Sequence, residues 1–218
     1  MMSGMSRTAV KRRKTQQERV EESARRLMDA AIELFAERGY EQTSVAEIGL
    51  RAGYSRAMVR ERYGSKEALL NALIKSQYED RLMAPTAEGA TALEGIFERI
   101  DRLESLRARD ARLLRALYVL EFEAVGPVPA LRPHIAGWFA WVQSNTVKAL
   151  LQGQSDGSVK ATIDVDDEAE QFVLTAIGIA YRWSLEGDAF DHAEALARWK
   201  SRLRRHCGTT RRARRASA

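Results

Sequence analysis

Residues 44–63 read SVAEIGLRAGYSRAMVRERY and hold the most informative pattern in the chain, two short helical segments joined at a glycine. Ser44 and Glu47 have the spacing of a capping box, in which each side chain accepts a backbone N–H at a helix start. Gly53 marks the turn, and a second helix is predicted over 55–63. This arrangement predicts a helix-turn-helix.

The second of these helices is a candidate for insertion into DNA. An α-helix fits the major groove, and a partner helix that crosses it holds it at a fixed angle. The predicted outward face carries Ser55, Arg56, Met58, Arg60 and Arg62. Its three guanidinium groups can reach phosphates or guanine edges, and small residues at 46, 49 and 52 let the two helices cross closely. An ordinary amphipathic helix can show the same pattern, so the flanking sequence has to support this interpretation.

The remainder of the chain consists of predicted helices separated by short breaks. Alanine, leucine, arginine and glutamate, which favour helices, are abundant, and there are only four prolines. An amphipathic helix is predicted over 15–38, ended by Gly39, and another over 66–82. Beyond a linker at 84–89, helices are predicted over 91–107, 110–124, 130–152, 166–186 and 190–206. The sequence therefore predicts an all-α protein of about nine helices.

Charge is unevenly distributed along the 218 residues, whose formal net charge is +5. Residues 1–82 are net basic, 83–200 are net acidic, and 201–218 carry seven arginines. A basic N-terminal part suits contact with a polyanion, although a solvated surface with basic tails has the same pattern. Cys207 is the only cysteine, so no disulfide can form within the chain. Because neither a secretory signal nor an apolar segment long enough for a bilayer is found, a cytoplasmic location is predicted.

Residues 26–70 resemble the N-terminal DNA-binding domain of TetR-family regulators in residue type and in spacing. The matching segments are RLMDAA at 26–31, LFAERGY at 34–40, TSV at 43–45, Ile48, AGYS at 52–55 and YGSKEALL at 63–70. The resemblance implies a three-helix, homeodomain-like DNA-binding domain over 16–70 and a helical bundle for ligand binding and dimerisation over 71–206. Residues 1–15 would then be a flexible basic arm, and 207–218 a disordered basic tail.

The resemblance also implies which residues face base edges. They are Arg56, Ala57, Met58 and Arg62, and Arg56 is placed best for a bidentate contact with guanine. The family usually has a tyrosine that touches phosphate where this chain has Arg60, and a guanidinium can serve the same contact. Gly49 replaces the family's usual alanine, which weakens the short helix by about 0.5–1 kcal/mol.

Other residues are implied to contact the phosphate backbone. Thr43 and Ser44 would present hydroxyl and amide groups to a phosphate at a helix N-terminus. Lys66 would lie near a phosphate at the start of the next helix. Residues 11–14, KRRK, either enter a minor groove or form a solvated tail. Tyr40 and Tyr63 are expected in the core rather than on DNA.

The helix predicted over 166–186 is apolar almost all round, which is typical of a helix buried on two sides. One side would pack in its own domain and the other on a second subunit, with the last helix completing a four-helix interface, as the resemblance also implies. Candidate interface residues are Phe172, Val173, Ala176, Ala180, Trp183, Leu196, Trp199 and Leu203. A two-fold dimer would place its recognition helices about one DNA turn apart and bind a near-palindromic operator. The alternative is the buried core of a monomer.

Aromatic and polar residues interleave in the middle helices, a pattern compatible with an apolar cavity that has a few polar groups. The candidate ligand contacts are Phe97, Arg115, Tyr118, Phe122, Trp138 and Trp141. Residue for residue, an ordinary core is the more common outcome of such a pattern. Since the family commonly binds small molecules in this domain, the resemblance implies a small, largely apolar effector.

These observations predict a ligand-responsive DNA-binding regulator, a repressor released by its effector, and not an enzyme. Two alternatives remain open. A helical adaptor could bind an acidic protein or RNA through its basic N-terminal part, and an all-α hydrolase could use Ser155 in GQSDG at 153–157, although that motif needs a preceding strand. Because the histidines lack zinc-ligand spacing and no nucleotide-binding glycine motif occurs, no metal or cofactor is expected.

Overall fold

A computed structural model describes residues 15–82 and 84–209 of the chain. The regular structure of these residues is helical, and their only β-type pairing is an isolated bridge between Val159 and Gly208. The all-α prediction is therefore confirmed. No helix in this part of the chain combines the length and the apolar character needed to cross a bilayer.

The described residues form nine helices, numbered here in chain order. The first three are α1 (Gln16–Arg38), α2 (Val45–Arg51) and α3 (Met58–Tyr63). Helix α4 runs over 66–82 and comprises α-helical Lys66–Leu73, π-helical Ile74–Glu79 and a last α-helical turn, Asp80–Leu82. The others are α5 (Ala92–Arg109), α6 (Ala111–Val125), α7 (Arg132–Ser155), α8 (Val165–Glu186) and α9 (His192–Cys207), with 3₁₀ turns at Pro129–Leu131 and Gly187–Ala189.

Local signals start and stop the N-terminal helices where the sequence predicts. Thr15 with Glu18, and Ser44 with Glu47, form capping boxes at the starts of α1 and α2. Gly39 follows α1 with a φ of +83°, a conformation that residues with a side chain rarely adopt. The buried faces of α1–α4 then meet in one apolar cluster that includes Leu27, Phe35, Ile48, Val59 and Leu69.

This cluster continues into the second half of the chain. Helix α6 packs along α1 and adds Leu114, Leu117 and Leu120 to it. A second cluster lies among α5, α7, α8 and α9, where the rings of Phe172 and Trp199 are 4.5 Å apart between centroids. The domain boundary at residue 70 stays a prediction, since the apolar core runs across it without a break.

Helix α4 joins the two halves and departs from the regular helix predicted over 66–82. The hydrogen bonding of Ile74–Glu79 is π-helical, a form that occurs mostly as single turns and often near functional sites. Tyr78, in this π turn, is fully buried, and its hydroxyl donates a 2.6 Å hydrogen bond to the carbonyl of Leu113 on α6. The middle of α4 is thereby fixed to α6.

The end of α9 corrects the predicted disordered tail over 207–218. Cys207 is fully buried in the last turn of α9, and its carbonyl accepts a 2.8 Å hydrogen bond from the Lys160 amide. The Thr209 hydroxyl donates to the Gly157 carbonyl at 2.7 Å. The prediction failed because it followed the arginine-rich composition and missed these contacts with the α7–α8 loop. Residues 210–218, and residues 1–14 of the basic arm predicted over 1–15, lie outside the described residues, whereas Thr15 caps α1.

Candidate DNA-binding surface and effector cavity

Helices α2 and α3 approach each other closely because Gly49 has no side chain. A Cβ at this position would lie 2.3 Å from the Ser55 carbonyl oxygen, and the Tyr54 amide donates a 2.9 Å hydrogen bond to the Gly49 carbonyl. Residues 55–57 form the turn, so α3 begins at Met58, three residues later than predicted. The glycine that the sequence marked as a local weakness is thus required by the tight turn.

The exposed residues of the turn and of α3 are Ser55, Arg56, Ala57, Arg60 and Glu61. Arg56 lies in the turn just before α3, and Arg60 lies within α3. Within the described residues, neither guanidinium group has a hydrogen-bond or ion-pair partner, so their donors face solvent. The exposure of Ser55, Arg56, Ala57 and Arg60 agrees with the sequence analysis, and their contact with DNA stays a prediction.

Two of the predicted base contacts are placed differently. Met58 is half-buried and packs against the apolar cluster of α1–α4, so it supports the fold of α3 rather than its outward face. Arg62 is also half-buried, and its Nε is buried without an acceptor among the described residues. The sequence could not separate these side chains from Arg56, since a six-residue helix presents few residues on each face.

The predicted phosphate contact of Thr43 is wrong for its hydroxyl group. Thr43 is only 1% exposed, and the hydroxyl donates a 2.7 Å hydrogen bond to the Gly39 carbonyl. Ser44 remains exposed, but its hydroxyl donates to the Glu47 carboxylate and accepts from the Glu47 amide. Both hydroxyls therefore stabilise the start of α2.

Lys66 also differs from its predicted role near a phosphate. Its ammonium group donates hydrogen bonds to the carbonyls of Tyr40, at 2.8 Å, and Thr43, at 2.7 Å, and lies 4.0 Å from the Tyr40 ring centroid. Burial lowers the pKa of Lys66, while the nearby Glu123 charge opposes this change. Lys66 thus closes the turn between α1 and α2. Tyr40 and Tyr63 pack against the core, as expected.

Glu123 near the end of α6 makes a contact that sequence reasoning missed. Its carboxylate accepts hydrogen bonds from the amides of Tyr40, at 2.6 Å, and Glu41, at 3.4 Å. Gly39 leaves room for the same carboxylate, and its φ of +83° is what favours a glycine there. The turn between α1 and α2 is therefore held from both sides, by Lys66 and by α6.

A small cavity of about 80 Å³, partly open to solvent, lies between α4, α5, α6, α7 and α8. Three of the predicted ligand contacts, Tyr118, Trp138 and Trp141, line it, and the two indole rings stack with centroids 5.2 Å apart. The rest of the wall is mainly apolar and is made by Leu82, Leu103, Leu117, Phe139, Val142, Phe172, Val173, Ala176, Ile177 and Ala180. Its polar members are Arg99, Thr146, Glu121 and the hydroxyl end of Tyr118.

The other three predicted contacts lie outside the cavity. Phe97 belongs to the second apolar cluster, beneath the Arg204 guanidinium. Arg115 is exposed and lies over the Trp183 ring, and Phe122 packs edge-on against Tyr181. Glu121 and Arg99 were missed, although the spacing of Glu121 from Tyr118, one helical turn, would have placed both on one face.

The predicted dimer residues lie on the inward faces of α8 and α9. Seven of the eight are at most 9% exposed within their own chain, and Ala176 is half-buried in the cavity wall. The seven are Phe172, Val173, Ala180, Trp183, Leu196, Trp199 and Leu203. The exposed apolar face of α8 consists instead of Leu174, Gly178, Tyr181 and Leu185, here called the α8 stripe.

Comparisons with known proteins agree with this geometry. Residues 27–73 match the family model for bacterial regulatory proteins of the tetR family. The fatty acid metabolism regulator protein of Bacillus subtilis is 27% identical over 168 residues, which cover 76% of this chain and 85% of the relative.

Two solved structures have the same fold. TylP, a TetR regulator from Streptomyces fradiae, aligns with a TM-score of 0.74 and 23% identity over 88% of this chain and 89% of that one. The fatty acid degradation regulator FadR from Bacillus halodurans aligns with a TM-score of 0.69 and 17% identity over 88% of this chain and 96% of that one. Similarity to both therefore extends beyond the helix-turn-helix to the cavity-bearing helices.

Proposed function

Since the chain is a TetR-family regulator, we propose that it is a cytoplasmic transcriptional repressor that binds a near-palindromic operator as a homodimer. A small, largely apolar effector fills the cavity and releases the DNA. The observation that carries the DNA-binding part is the pair Arg56 and Arg60, both exposed and without a partner among the described residues. They lie in the turn before α3 and in α3 itself, which a buried core holds in place. Base contacts give sequence selectivity and phosphate contacts position the protein, so we assign Arg56 to a guanine edge and Arg60 to a phosphate.

The α8 stripe supports the homodimer. Leu174, Tyr181 and Leu185 are 52%, 53% and 71% exposed, and they recur at helical spacing around Gly178. Contiguous exposed apolar surface marks interaction sites. A second copy related by a two-fold axis covers the stripe with the same residues and presents two α3 helices to one face of the duplex.

The cavity supports the effector. Its wall is mainly apolar, with few polar groups, as is usual for small-molecule sites. The Bacillus subtilis relative and FadR are both named for fatty acid metabolism, which supports an effector that has a long apolar portion.

Helix α6 supplies the connection between effector and DNA. Leu117, Tyr118 and Glu121 of α6 line the cavity, while Glu123, half a turn further on, binds the turn before α2. An effector that displaces α6 therefore displaces that turn as well. Because the two α3 helices must match neighbouring turns of the major groove, a small change in their orientation lowers the affinity for DNA.

Selection of bound duplexes from a random-sequence pool, using the full chain, tests this proposal. We expect enrichment of two related half-sites about one DNA turn apart. The logarithm of the binding constant should fall linearly with the logarithm of the salt concentration. Absence of any enriched sequence would contradict the proposal, as would binding that does not weaken with salt. An adaptor for RNA or acidic proteins would enrich no DNA sequence.

A further inference from the structure

Among the residues that the structure describes, Glu121 is the only acidic one in the wall of the cavity. It lies one turn beyond Tyr118 on α6, and only 8% of it is exposed. Within the described part of the chain, its carboxyl oxygens have no hydrogen-bond donor and no cation as a partner. A buried acid in a cavity wall, with no partner among the described residues, is available to bind a molecule inside the cavity.

The surroundings of Glu121 favour its neutral form. Burial raises its pKa to about 8, so at neutral pH most molecules carry the proton on the carboxyl group. A protonated carboxyl group is a hydrogen-bond donor, whereas a carboxylate only accepts. A donor that is largely withdrawn from water and has no protein partner is unfavourable, and a ligand oxygen relieves that cost.

The cation in the cavity wall is engaged elsewhere. The Arg99 guanidinium lies 3.5 Å from the Asn145 carbonyl, and its pKa is lowered by burial and by the neighbouring Arg102. It forms no ion pair with Glu121. The cavity therefore offers two hydrogen-bond donors on α6, the Tyr118 hydroxyl and the protonated Glu121 carboxyl group, against a mainly apolar wall.

Given the proposed function, in which this cavity holds the effector, we propose that the Glu121 carboxyl group donates a hydrogen bond to an uncharged carbonyl oxygen of that effector. The cavity then selects apolar ketones or esters over alkylammonium ions. An alkylammonium ion would need the ionised carboxylate, which is the form that burial disfavours. Glu121 is thus a specificity-determining residue that binds the polar end of an otherwise apolar molecule.

Two probes of equal chain length, 2-decanone and decylammonium, test this assignment. Binding is followed by the fluorescence of Trp138 and Trp141, which line the cavity. Glu121→Gln keeps a donor of the same size, and Glu121→Met replaces it with an apolar side chain. We expect 2-decanone to bind the parent and Glu121→Gln with similar dissociation constants and Glu121→Met roughly tenfold more weakly. Decylammonium should bind the parent more weakly than 2-decanone.

Several results would overturn the assignment. Equal binding of 2-decanone by the parent and Glu121→Met would show that the proposed hydrogen bond does not form. If decylammonium bound the parent more tightly than 2-decanone, and Glu121→Gln abolished that binding, Glu121 would act as an ionised carboxylate that binds cations. Glu121→Gln retains both size and polarity. The comparison of the two probes between the parent and Glu121→Gln therefore stays valid even if Glu121→Met folds poorly.

A gel-shift assay separates this inference from the proposed function. If DNA binding persists but no probe binds the cavity, the Glu121 assignment is wrong and the DNA-binding function stands. If 2-decanone binds through Glu121 without weakening DNA binding, the assignment stands and effector-controlled release is wrong.

Discussion

Arg56 lies exposed at the start of α3, and we predict that it selects the DNA sequence. Arg56→Ala removes a bidentate donor worth about 1–3 kcal/mol at one base pair. We therefore expect roughly 5- to 100-fold weaker binding to the selected duplex and little change on a scrambled one. Gel-shift titrations of both duplexes measure the ratio. Arg109→Ala, which removes an exposed arginine from α5, is the control and should leave the ratio unchanged. An equal loss on both duplexes would assign Arg56 to a phosphate.

Lys66 is predicted to stabilise the N-terminal helices rather than to contact DNA. Lys66→Met keeps the aliphatic chain but leaves the Tyr40 and Thr43 carbonyls without their donor. We expect the free energy of unfolding to fall by about 1–3 kcal/mol in urea titrations. Lys75→Met, an exposed position in the π turn of α4, should change it little. If Lys66→Met left the free energy of unfolding unchanged but weakened DNA binding, Lys66 would instead be assigned to a phosphate contact.

Single residues show where sequence reasoning stops. Arg56 and Arg60 could be assigned to the surface because charged side chains are rarely buried without a partner. Thr43 could not, because its acceptor is the Gly39 carbonyl, whose position depends on the conformation of the whole turn. The need for Gly49 was likewise hidden, since it arises from the approach of the Ser55 carbonyl rather than from helix propensity.

At the level of secondary structure, α6 lines the cavity and also contacts the turn before α2. Glu123→Ala removes the acceptor of the Tyr40 and Glu41 amides. We predict that hydrogen exchange of these two amides becomes about tenfold faster, because one hydrogen bond contributes on the order of 1 kcal/mol. Glu88→Ala, in the exposed loop before α5, is the matched control. Unchanged exchange at Tyr40 and Glu41 would exclude α6 as the connection.

The helices themselves were predicted well, because helix starts and stops are encoded locally by caps and glycines. Their buried faces were predicted less well. Residues 172–181 of α8 are apolar almost all round, so the sequence does not say which side meets α7 and which faces solvent. The cavity combines residues from five helices spread over 82–180, and such long-range proximity leaves no local pattern.

At the level of the whole molecule, the α8 stripe is predicted to hold two copies together. Leu174→Glu places a carboxylate in that interface twice, once from each copy. Burying an unpaired charge costs several kcal/mol, so we expect association to weaken by roughly 100-fold or more. Analytical ultracentrifugation without DNA measures it. Leu50→Glu is a close control, since Leu50 is 51% exposed and Leu174 52%, but it lies on α2. A Leu174→Glu protein that remains dimeric would place the interface elsewhere.

The π turn of α4 also constrains how chimeric regulators can be assembled from this protein. Hydrogen bonds in Ile74–Glu79 close over one more residue than in an α-helix. Each residue of an α-helix advances by about 100°, so an extra residue rotates everything beyond it by roughly a quarter turn. A graft that replaced this segment with plain α-helix would keep every DNA-contacting side chain and still aim α3 away from the groove. Splice sites therefore belong before Ile74 or after Leu82.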